Sequence, residues 1–95
     1  MLVILFAAGC LSCMSSLYIP SQKDALTLNI SLEKLQQGRQ LYINKCAGCH
    51  NLYLPSGYTS KEWAPIMDKM QSPGKIDDVE KELILNYLNS GSKKE

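Results

Sequence analysis

Five consecutive residues, Cys46-Ala47-Gly48-Cys49-His50, constrain this chain more than any other segment. Two cysteines three positions apart, followed directly by a histidine, make a C-x-x-C-H, the attachment motif of haem c. The spacing has a physical reason. At the end of a helix, such a pair can reach both vinyl groups of one porphyrin and form two thioethers. The next residue then places an imidazole nitrogen on the iron from the same side. His50 is the only histidine of the 95 residues, and it stands where the motif requires one. The length argues the same way. A chain this short has room for one domain, and a core that small usually needs a metal, a disulfide or a cofactor to hold. A single covalent haem c would supply most of that core.

Other chemistry is open to the same residues. A C-x-x-C can be half of a zinc site, and Cys10-Leu11-Ser12-Cys13 is formally a second pair, although it abuts an apolar run. A redox dithiol wants a preceding strand in a βαβ setting, and no segment here alternates like a strand. A structural disulfide between Cys46 and Cys49 leaves His50 without a role. Composition excludes one further class. Ten basic and nine acidic residues give a net charge of +1, with the basic ones scattered singly or in pairs. No basic stripe follows a phosphate backbone, so nucleic acid is not an expected partner.

Every charged residue lies after position 22. Residues 1–9, MLVILFAAG, are uncharged and apolar, too short to span a bilayer, and read as a leader segment. Ala7-Ala8-Gly9-Cys10 resembles a bacterial lipobox, which implies lipid attachment at Cys10 and a membrane anchor. Residues 10–30 then read as a flexible, lipid-anchored tether of Ser, Pro, Gln and single charges. Residues 31–91 form the expected domain and 92–95 a tail.

Within the domain the pattern is all-α. Ser31 caps a helix over 32–45, with Glu33 in its first turn and Leu32, Leu35, Arg39 and Tyr42 on one stripe. Gly38 sits mid-helix, where glycine costs about 1 kcal/mol relative to alanine, so something bulky is expected to approach it. Residues 51–58 read as a loop. Thr59-Ser60-Lys61-Glu62 matches a capping box and predicts a second helix to about Met70, with Pro65 kinking it or delaying its start towards Trp63. Pro73-Gly74 predicts a break over 71–75. Asp77 to Glu80 is another capping box, and Leu83, Ile84, Tyr87 and Leu88 predict a last helix over 78–89 ahead of Gly91.

With these residues in view, the stretch from about Leu35 to Leu88 resembles a minimal class I cytochrome c: three short helices around one covalently bound haem. The resemblance implies that Gly38 and Tyr42, eight and four residues before Cys46, pack against an aromatic of the last helix, here Tyr87. It also implies a methionine sulfur as second axial iron ligand, a soft donor that favours ferrous iron. The stretch Trp63 to Met70 is similar to small bacterial cytochromes in which a Trp precedes the ligating Met by seven residues. Met70 is therefore the first candidate, Met67 the runner-up and an open iron the third. Trp63 would pack on the porphyrin edge. Met70 follows His50 by only 20 positions, so the middle of the fold is shortened and one porphyrin edge left exposed. Leu52, Tyr53, Leu54 and Pro55 could cover part of that edge, and a carbonyl there could accept the His50 ring N–H, or the loop could simply pack.

The expected function is one-electron transfer in a bacterial cell envelope, periplasmic or anchored to the outer membrane, with a transient redox protein as partner. No acid–base pair or second histidine suggests an enzyme or a small-molecule substrate. An open iron would instead make a gas sensor or weak peroxidase, and a chain without haem a zinc or dithiol module.

Overall fold

A computed structural model describes residues 17–46 and 53–94. Among them lie four α-helices, one short 3-10 turn at Pro55–Gly57, and no strand beyond a single bridge between Thr59 and Lys93. The helices are α1 (Gln22–Leu28), α2 (Leu32–Cys46), α3 (Ser60–Gly74) and α4 (Asp78–Ser90). No helix among the described residues is long and apolar enough to cross a membrane.

The helix starts follow local chemistry. The Ser31 hydroxyl accepts the Lys34 N–H at 3.2 Å and opens α2. Thr59 and Glu62 close a reciprocal capping box on α3, and Asp77 with Glu80 closes another on α4. Where the second helix was expected to stop near Met70, α3 runs on to Gly74, through both Pro65 and Pro73. Its end is set by Lys75, in the left-handed region at φ 54°. The Lys75 N–H then reaches Ser72 O, and the Ile76 N–H reaches Gln71 O, a Schellman closure that tucks Ile76 into the core.

The helix α1 is a departure from the expected tether, and makes four helices of the expected three. Ser21 and Asp24 form its capping box, and Asn29 at φ 56° ends it. Just before it, Leu17 is buried in the core. The Tyr18 carbonyl accepts from Arg39 Nε at 3.0 Å and from the Tyr87 hydroxyl at 2.5 Å, while the Tyr18 hydroxyl donates to Asp24 at 2.5 Å. The segment from Leu17 to Ile30 is thus a strap across α2 and α4. Gly91 admits the strap: a Cβ there would lie 2.6 Å from the Tyr18 ring.

The core itself is a crossing of α2 and α4 at backbone contact. A Cβ on Gly38 would lie 2.1 Å from Leu83 O and 2.9 Å from Tyr87 Cβ. The close approach expected at Gly38 is present as geometry, and so is the packing of Tyr42 on Tyr87, at a ring separation of 6.0 Å. Trp63 and Met67 bring α3 onto this crossing, joined by Leu17, Ile76, Ile84 and Leu88.

Candidate functional site

Cys46 is the last residue of α2, half-buried and packed against the core cluster. One helical turn before it stands Tyr42, buried among aromatic rings. Tyr42 meets Trp63 edge-on at 6.4 Å, Trp63 meets Tyr58 at 5.0 Å, and Tyr58 meets Tyr53 at 6.0 Å. Offset and edge-on pairs of this kind stabilise beyond their buried area. They join α2, α3 and the loop before α3 into one wall.

Two buried donors tie that loop down. The Tyr42 hydroxyl donates to Tyr53 O at 2.6 Å, and Trp63 Nε1 donates to Pro55 O at 2.9 Å. Both groups would be costly to bury without a partner. The neighbouring side chains are apolar but outside: Tyr53 and Leu54 are 63% and 49% exposed.

The expected methionine stripe divides. Trp63 and Met67 are each 2% exposed and spent on protein contacts, whereas Met70 is 38% exposed. Trp63 therefore contributes to the core, with its indole N–H committed to Pro55. Cys49, His50 and Leu52 lie outside the described residues, as does Cys10. Among the described residues no three His, Cys, Asp or Glu side chains gather as a metal cluster.

Two side chains among the described residues, Cys46 and Met70, are of the donor kinds that a haem c would use. Cys46 is a half-buried thiol packed against the core cluster. Met70 offers a thioether that the core does not use. Tyr53 and Leu54 add exposed apolar surface that such a group could cover.

Three tyrosine hydroxyls, those of Tyr42, Tyr87 and Tyr18, are held above their ordinary titration range. Burial pushes the Tyr42 hydroxyl well above its ordinary value, with the nearby Cys46 adding to the effect. Burial raises Tyr87 to about 12, and the hydrogen bond to Asp24 raises Tyr18 to about 12. In the unfolded chain these phenols would titrate near 10. The stability they carry is therefore fully present below pH 10 and lost as pH rises from 10 through about 12. Urea unfolding midpoints are expected to hold up to pH 9 and fall steeply above 10, and to fall less in Tyr87→Phe; a flat profile to pH 12 would contradict the burial of the Tyr42 and Tyr87 hydroxyls.

No protein-family model, curated protein or solved structure matches this chain.

Proposed function

We propose that the chain is a single-haem c-type cytochrome, a one-electron carrier of the bacterial cell envelope. The observation that carries this reading is the position of Cys46. It is the first residue of a complete C-x-x-C-H, ends the helix that crosses α4 at Gly38, and packs against the core cluster. A covalent group joined at that point would complete a body whose own core is small.

On this reading Cys46 and Cys49 would hold the porphyrin by thioethers, and His50 would supply a nitrogen donor to the iron. Met70 is the preferred sulfur donor because its side chain is not consumed by the core, while Met67 is. The bound group supplies a reversible one-electron change at iron. The chain's part is to hold it, exclude water from one side, and leave an edge exposed for a transient redox partner. Lipid attachment at Cys10 would keep the carrier at a membrane surface.

The test is a visible spectrum of the chain made in a host with cytochrome c maturation machinery. Haem that resists acid–acetone extraction, and no carbon monoxide binding without denaturation, are expected. Ready carbon monoxide binding would point to the open site, and a colourless protein would end the haem reading.

A further inference from the structure

The strap has an inner and an outer side. Leu17, Pro20 and Ala25 are buried against the body, while Ile19, Lys23 and Leu26 are exposed. Leu26, at 74%, is the most exposed large apolar side chain among the described residues, and Ile19 stands at 62%. The strap carries two charges, Lys23 and Asp24. Asp24 is spent internally, accepting from the Tyr18 hydroxyl and the Ser21 N–H, so the outer side presents only the cation. Beside Leu26 opens a cleft of about 280 Å³, lined by Gln22, Ala25, Leu26, Asn29, Ile30 and Ser31.

Single exposed apolar side chains are ordinary, and α4 has one in Val79 at 67%. Charge separates the two places. Val79 stands among Asp77, Asp78 and Glu80, which an anionic surface repels, whereas Lys23 is attracted to one. Distance separates them as well. The strap meets α4 at Tyr87 and Gly91, more than two turns beyond Val79.

The place where the strap is fastened points to its occupant. Leu17 is buried, and the Tyr18 carbonyl is bonded to Arg39 and Tyr87, so this end is fixed on the body. Cys10, the lipobox-like cysteine, stands only seven positions before Leu17. Covalent geometry alone limits that reach to about 25 Å. Two apolar side chains and one lysine bind a bilayer weakly in isolation. A leash this short gives them an effective concentration at the lipid surface on the order of millimolar, where weak contact is enough.

We propose that the outer side of the strap, Ile19, Lys23 and Leu26, is a membrane-docking surface that rests on an anionic phospholipid bilayer. The anchored chain then stands on α1, with Val79 and the start of α4 turned away from lipid. The proposal rests on lipid attachment at Cys10 and is independent of haem.

The experiment places the full mature chain, made with its own leader in a lipoprotein-processing host, in nanodiscs of phosphatidylethanolamine and phosphatidylglycerol. A minor share of the lipid carries a headgroup nitroxide, which erases amide NMR signals close to the bilayer. Mass spectrometry of the same sample reads acylation. The Lys23 and Leu26 amide signals should be lost and the Val79 signal kept. Ile19→Ser combined with Leu26→Ser should restore the strap signals while the acyl chains still hold the protein on the disc, and Val79→Ser should change nothing. Both strap positions are exposed, so the double variant should keep the parent's urea midpoint. An acylated chain whose strap signals survive, or fade no more than that of Val79, would overturn the docking and leave the anchor standing. A chain without the acyl mass would retire the anchor and the docking together. Strap signals that shift without nitroxide loss, in a particle holding two chains, would overturn the proposal by giving this face to a second copy.

Discussion

Gly38→Ala is expected to cost about 3 kcal/mol or more, a large part of the stability of a domain this small. The added methyl would stand 2.1 Å from the Leu83 carbonyl oxygen and 2.8 Å from its carbon. Both are backbone atoms, so no rotamer change relieves the overlap, and α2 and α4 must separate. Separation loosens Tyr42 from Tyr87 and the wall that depends on them. Helix propensity works the other way, since alanine is favoured over glycine by about 1 kcal/mol inside a helix. That gain is visible alone at Gly74, the last residue of α3, where an added Cβ meets nothing within 4 Å. Gly74→Ala should therefore be neutral or stabilising by up to about 1 kcal/mol. Urea unfolding of the two variants side by side decides the matter, and equal midpoints would mean that the helices do not cross at Gly38.

Much of this crossing is legible in the residues. A glycine in the middle of a sound helical stripe has a cost, and the cost implies a neighbour. The capping boxes at Thr59 and Asp77 fix two helix starts because each is a short-range reciprocal bond, complete within four residues. The α1 helix carried the same signal in Ser21 and Asp24, but seven residues are too few to show a hydrophobic period, so the segment resembled a tether. Arg39 shows a different limit. It lies on the buried stripe of α2, yet its guanidinium reaches the strap's Tyr18 carbonyl, and a backbone acceptor leaves no trace in residue identity. The far end of α3 lies past Met70 for a related reason. Pro65 and Pro73 weaken a helix locally, but continuing to Gly74 brings the closure that tucks Ile76 into the core, and tertiary packing outweighs propensity.

The two methionines of α3 are expected to fail in opposite ways. Trp63, Met67 and Met70 share one helix face, and periodicity alone cannot tell a core residue from one that meets a cofactor. The structure separates them by burial, with Met67 at 2% and Met70 at 38% exposure. Met67→Ala removes a buried side chain of the core cluster that also holds Trp63 and Tyr87, and should cost about 2–5 kcal/mol in unfolding free energy. Met70→Ala removes a side chain 38% exposed and outside the core cluster, so the polypeptide should lose less, about 1 kcal/mol. With haem attached, the ligand effects run the other way. Met70→Ala should abolish the charge-transfer band of methionine-ligated ferric haem and open the iron to carbon monoxide, while Met67→Ala keeps the band in whatever fraction stays folded. A spectrum of each variant, taken beside its urea midpoint, reads both effects on one sample. Loss of the band in Met67→Ala and its survival in Met70→Ala would move the sulfur ligand to Met67, and would require α3 to turn that side chain out of the core when haem is bound. A band absent from the parent chain, together with a normal urea midpoint, would leave Met67 a core residue and Met70 without a ligand role.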